Sequence, residues 1–264
     1  MRRRLSPPAL GSVVMALSLL ASACGSTSSS TTVPRAVTAT PYRYVAVGGT
    51  DATGASTGDP LLDAWPQQLF RTSMPLSAVL VNAAVPQETV ARALSDQVPT
   101  AVASSPTVVT VWLVSGDLLD GTLPSAYAAD LLRLLTALRD RGRTTVLVAN
   151  APPLDQVPGY PACRDGAGGR RLTCPLPLPD AAALEERLVA YDTAVATDAA
   201  ISGAVIVDLH DVVARSVISG AAAFLDANGA DLSTAGSTVV AAAFGAALRA
   251  AGPRPVTGTR RTAG

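Results

Sequence analysis

Apolar residues in this chain fall into short continuous runs, separated by stretches in which they recur every three or four positions. Five runs predict strands: Tyr44–Val47, Ser77–Asn82, Thr107–Val114, Thr144–Asn150 and Ala204–Leu209. The third, Thr-Val-Val-Thr-Val-Trp-Leu-Val, has no sustained polar alternation and is therefore expected to be buried on both faces. Helical spacing predicts Pro60–Arg71, with Leu61, Leu62, Trp65 and Leu69 on one face and Pro60 in the first turn. It also predicts Pro86–Leu94, Ala126–Arg139, Ala181–Ala199 and Thr234–Ala250. Strands that alternate with helices imply an α/β fold, a three-layer α/β/α sandwich on a mainly parallel sheet, over residues 42–251.

Composition supports that class. Of the 264 residues, 48% are hydrophobic but only 4% aromatic, which suits helices packed on a parallel sheet better than an aromatic-rich sandwich. Formal net charge is zero, and every basic residue is Arg. Loss of Arg2, Arg3 and Arg4 with a leader would leave a net negative chain, so no nucleic-acid partner is expected.

The first 23 residues have the plan of an export signal. A basic start precedes the apolar stretch Ala9–Leu20, and Leu20-Ala-Ser-Ala-Cys24 follows. This resembles a bacterial lipobox, with Ala21 where Leu is most often found. Cys24 would then be acylated, with membrane lipid as partner and the outer face of the cell membrane as location; cleavage near Ala23 would instead release a secreted protein. The polar, Ser/Thr-rich segment 24–41 has little to bury and reads as a tether. Residues 252–264 read as a frayed tail. An irregular insertion at Tyr160–Pro179 carries Cys163 and Cys174, which in an exported protein are expected to form a disulfide worth ~2–3 kcal/mol. No metal or other cofactor is expected, because no His or further Cys lies near that pair.

Candidate chemistry sits where strands meet polar turns. Tyr44-Val-Ala-Val-Gly-Gly-Thr-Asp51 ends an apolar run in a hydroxyl and a carboxylate, at the end of the sheet where open parallel folds bind ligands. An Asn-containing turn follows the second strand. Val-Thr-Val-Trp-Leu-Val-Ser-Gly-Asp closes at Asp117, and Asn228-Gly-Ala-Asp-Leu-Ser-Thr-Ala-Gly236 leads into the last helix. In this order the four segments resemble the blocks of the SGNH/GDSL hydrolases, secreted esterases and lipases of flavodoxin-like fold. The resemblance spans about residues 42–251 and implies carboxylic ester hydrolysis.

It also implies that the catalytic residues have been replaced. Thr50, after Gly48 and Gly49, stands where the family has its Ser nucleophile. Gln87 stands near its oxyanion-hole Gly, and Gly116, after Ser115, at its oxyanion Asn. Asp231 occupies the position of its His base. A carboxylate is a much weaker base than imidazole at neutral pH, and loss of one oxyanion donor costs ~10²–10³ in rate. The expected pocket comprises Gly49, Thr50, Asp51, Gln87, Ser115, Gly116 and His210, together with Asp231. His210, the chain's single His, reads as a structural residue bonded to Asp208 or Asp211; its functional alternative is a displaced base. Asp117 reads as a cap more readily than as half of a carboxylate site. Gly54-Ala-Ser-Thr-Gly58 fits the Gly-x-Ser-x-Gly pattern but lacks the strand and helix that must flank it. The expectation is therefore a catalytically degenerate envelope protein that binds a glycan or acyl-ester ligand, or alternatively an esterase or carbohydrate deacetylase with a rewired site.

Overall fold

The computed structural model describes residues 42–165 and 179–252. In chain order its elements are β1 (Arg43–Gly48), α1 (Thr50–Thr53), α2 (Pro60–Asp63), α3 (Trp65–Ser73), β2 (Val79–Asn82), α4 (Val90–Asp96), α5 (Val98–Ala103) and β3 (Val108–Trp112). There follow α6 (Val114–Asp120), α7 (Pro124–Leu138), β4 (Thr145–Ala149), α8 (Gly159–Arg164), α9 (Ala181–Ser202), β5 (Val205–Val207), α10 (Leu209–Phe224) and α11 (Thr234–Ala251).

The five strands form one wholly parallel sheet in the order β2-β1-β3-β4-β5, that of the flavodoxin-like folds. Continuous apolar sequence places β3 and β4 in the middle, where every residue is buried, while the edges β2 and β5 are partly exposed. The chain leaves β1 toward β2, then returns past β1 to β3, so the direction of winding reverses between β1 and β3. Right-handed crossovers therefore put α4, α5, α7 and α9 on one face and α3, α10 and α11 on the other. Trp65 of α3 stacks on Phe244 of α11 at 4.5 Å and meets Trp112 edge-on at 6.3 Å. Across the sheet, Tyr127 and Tyr191 stack at 4.3 Å between α7 and α9. α11 is long and apolar enough to span a membrane, but here Val240, Ala241 and Phe244 place one face of it in the core.

Several sequence expectations are corrected. Pro60–Arg71 is two helices, broken at Ala64, whose extended ψ of 144° ends α2 and starts α3, with Pro66 in the first turn of the latter. Leu61 and Leu62 are consequently exposed, and only Trp65 and Leu69 of the expected face reach the core. The helix expected from Pro86 starts at Val90, because Thr89 is its cap and accepts from the Arg92 N–H. The turn expected at Ser115-Gly-Asp117 is inside helix α6, and α10 was not foreseen. Tyr160, expected to open an irregular insertion, lies in α8. The leader, the tether, Cys24 and Cys174 lie outside the described residues.

Candidate functional site

The site is built at the carboxyl ends of β1 and β3, where the winding of the sheet reverses. Gly48 ends β1, and Gln97, between α4 and α5, fixes it: Oε1 accepts from the Gly48 N–H at 2.9 Å and Nε2 donates to its carbonyl at 3.0 Å. Gly49 donates its N–H to the Trp112 carbonyl at 3.2 Å, tying the turn to β3. Thr50 then opens α1.

Facing Thr50 is the turn Val85-Pro86-Gln87-Glu88. Gln87 has φ of 56°, a left-handed conformation more usual for Gly, and its N–H donates to Thr50 Oγ1 at 3.0 Å. The turn is braced from behind. The Glu88 side chain is 1% exposed and accepts from Arg92 Nε at 3.0 Å and from Gln97 Nε2 at 3.5 Å. The Arg92 guanidinium also donates to the Gln87 carbonyl. Asp117 of α6 caps α4, Oδ2 accepting the Val90 N–H at 2.7 Å; burial, the main cause, pushes its pKa up to about 6. Relief of the left-handed strain predicts that Gln87→Gly gains about 0.5–1 kcal/mol of stability, measurable as a higher urea midpoint with unchanged m-value.

Gly116 shows why this turn and α6 belong together. A Cβ built there would lie 1.9 Å from the Glu88 carbonyl oxygen. The space that an Asn side chain would need is occupied by backbone.

The third wall is the loop before α11, pinned by the Leu225–Leu232 bridge. Asn228 organises it: its Oδ1 accepts from the N–H groups of Ala230 and Asp231 at 2.8 and 3.0 Å, and its Nδ2 donates to Asp231 Oδ2 at 2.7 Å. Ser56 Oγ donates to the same Asp231 oxygen at 2.8 Å. Asp51, half-buried on α1, is pushed up to about 7, first by burial and then by the charge of Asp231, against a hydrogen bond from the Leu232 backbone.

These walls enclose a cavity of about 440 Å³. Gly49, Thr50, Asp51, Gln87, Ser115, Gly116 and Asp231 all line it. His210 does not. Its Nδ1 lies 3.1 Å from the Ala151 carbonyl and 3.7 Å from Asp192 Oδ2, and its backbone N–H donates to Asn150 Oδ1 at 2.9 Å. The ring is thus held by α9 and the end of β4, not by Asp208 or Asp211. Asp208 instead caps α10 through the Asp211 N–H. Neither expected pocket membership nor displaced-base geometry is found for His210.

The rest of the cavity was not foreseen. Leu119, Leu154, Val157, Tyr160, Val213 and Phe224 supply apolar wall, and Arg92 a cation. Ser56 was also missed as a contact of Asp231, although its Gly/Ser/Thr loop stood out in sequence. Among the described residues no group of three or more His, Cys, Asp or Glu is placed to hold a metal ion. Chemically, the arrangement supplies a threonine hydroxyl that accepts a backbone N–H, a carboxylate whose Oδ2 is already doubly bonded to neighbours, and an apolar chamber.

The profile of the GDSL-like Lipase/Acylhydrolase family matches residues 47–251. Among solved structures, the chain is similar to the lipase/acylhydrolase from Enterococcus faecalis, at 15% identity and TM-score 0.58, covering 81% of this chain and 98% of that one. A catalytic mutant of Axe2, an acetylxylan esterase from Geobacillus stearothermophilus, is similar at 15% identity and TM-score 0.58, covering 81% and 95%. The psychrotrophic esterase EstA from Pseudoalteromonas sp. is similar at 13% identity and TM-score 0.55, covering 78% and 97%. At these identities the likeness is one of fold. No curated protein matches the sequence.

Proposed function

The chain belongs to the GDSL-like lipase/acylhydrolase family, and we propose that this member has kept the cleft and lost the hydrolysis. It is a binding protein of the cell envelope, anchored through acylated Cys24, whose cavity holds the apolar part of an acyl or glycolipid-like ligand. One observation carries the reading. The base position holds Asp231, whose Oδ2 is engaged by Ser56 and Asn228, while the single His bonds to Ala151 and Asp192 elsewhere. A hydroxyl nucleophile needs a base to take its proton as it attacks. Among the described residues, the cavity wall that Thr50 shares holds no imidazole, and the Thr50 β-methyl crowds the approach.

A specific observation favours the alternative reading of a rewired ester hydrolase. The Gln87 N–H still points at Thr50 Oγ1, as an oxyanion donor beside a nucleophile would. That geometry also suits a ligand oxygen bound without reaction. The Cys163–Cys174 disulfide is part of the proposal, and Cys163 lines the cavity.

Binding is tested by titrating the purified protein with a non-hydrolysable alkyl ether while following fluorescence from Trp112, which lines the cavity. Saturable quenching that recovers no altered ligand supports the reading; absence of binding removes it. Anchoring predicts that Cys24→Ala moves the protein from the membrane fraction to the medium, and unchanged membrane retention would contradict it.

A further inference from the structure

Charge in the cavity wall is one-sided. Among the described residues it carries four carboxylates, Asp51, Glu88, Asp120 and Asp231, and one cation, Arg92. Arg92 is committed: its Nε sits on Glu88 and its guanidinium on the Gln87 carbonyl, so this pair largely cancels itself. Three carboxylates are left. Asp51 and Asp231 come together from α1 and the loop before α11, close enough for the charge of one to raise the pKa of the other. Asp120 is exposed at the end of α6.

Most of the remaining wall is apolar, with Leu113, Leu119, Leu154, Val157 and Phe224. A bound apolar chain would be held there by burial of its surface, at about 25 cal/mol per Å². Its head would then meet carboxylates with little competing positive charge. An anionic head, such as the carboxylate of a free fatty acid, is repelled in that position. A neutral head is tolerated, and an ammonium can donate to the carboxylate oxygens.

We propose that the cleft selects amphiphiles carrying a protonated amino head, and rejects free fatty acids. This rests on the reading that the cleft binds an apolar-bodied ligand at all. Charged and titratable groups facing the head come from every adjoining element: Asp51 from α1, Glu88 from the turn after β2, Arg92 from α4, Asp120 from α6, Tyr160 from α8 and Asp231 from the loop before α11. Of these, Asp51 is the group that changes charge near neutrality, so selection is strongest where it is ionised, above about pH 7.

The test is calorimetric titration of the full protein, at about pH 8 and with every ligand below its micelle concentration, using dodecylamine, dodecanol and dodecanoate. These three share one tail and differ in head charge. The expected order is amine, alcohol, carboxylate, with at least about tenfold between the first and last. Asp231→Asn is expected to shrink that ratio to about threefold or less, with a wild-type circular dichroism spectrum and urea midpoint as proof of an intact fold. If that variant does not fold, Asp120→Asn at the exposed mouth replaces it and must lower the ratio measurably. Equal affinities, or a preference for dodecanoate, overturn the head-group assignment and leave the binding cleft standing. No binding of any of the three removes the reading beneath it.

Discussion

Gly116→Asn, which would return the oxyanion residue of the family pattern, is expected to destabilise the protein by about 3 kcal/mol and to restore no hydrolysis. The Cβ of any residue at 116 would meet the Glu88 carbonyl oxygen at 1.9 Å, far inside van der Waals contact. That carbonyl cannot easily retreat. The Glu88 side chain is anchored by Arg92 and Gln97, and the next segment is anchored by the Asp117–Val90 hydrogen bond. Overpacking against fixed backbone commonly costs ~1–3 kcal/mol, with the upper end expected where neither partner is a flexible side chain. Equilibrium urea unfolding of Gly116→Asn beside Gly116→Ala measures it, and wild-type stability in both would show that the turn is free to move. An Asn at 116 would therefore meet backbone where its side chain needs space, and this one substitution would not build an oxyanion site.

The second large effect is a dependence of stability on pH. Asp51 and Asp117 both have pKa values raised by burial, to about 7 and about 6. In the unfolded chain such groups ionise near pH 4. Between these limits the folded protein holds protons that the unfolded chain has released, so stability falls as pH rises. Below about pH 4 both states are protonated and these two groups contribute no slope; above about pH 7 both states are ionised and the slope ends. Each pKa unit is worth about 1.4 kcal/mol, so the decline from pH 5 to pH 8 amounts to a few kcal/mol. A lower melting temperature at pH 8 than at pH 5 is the expected result. Asp51→Asn should remove about two thirds of the difference by substituting a neutral amide for a carboxyl that burial keeps protonated. An unchanged pH profile in that variant would show that Asp51 is solvated in the folded state.

What the sequence revealed depended on whether the deciding contacts were local. β3 and β4 were legible because burial on both faces requires an unbroken apolar run, and such runs occupy 108–112 and 145–149. The order of the blocks then gave the fold. Helix α10 was illegible because Val212, Val213, Val217 and Ile218 have weak helical preference and Gly220 interrupts the helix. At the site, the places of Thr50 and Asp231 followed from the blocks, but what holds them did not. Ser56 reaches Asp231 across 175 positions, and Gln97 reaches Gly48 across 49. No local pattern records such pairings. His210 shows the same limit: it reads in sequence as a structural residue bonded to its neighbours Asp208 or Asp211, whereas three-dimensional packing gives its ring to Ala151 and Asp192.

Thr50 is the centre of the functional reading, and the chemistry either passes through it or does not. The most direct measurement is turnover of short-chain p-nitrophenyl esters by the purified domain, compared with Thr50→Ala over a range of pH. If the cleft binds without hydrolysing, both proteins release nitrophenol at the rate of buffer alone. Turnover by the wild type that Thr50→Ala abolishes would contradict this, and would make the Gln87 N–H an oxyanion donor of a working enzyme.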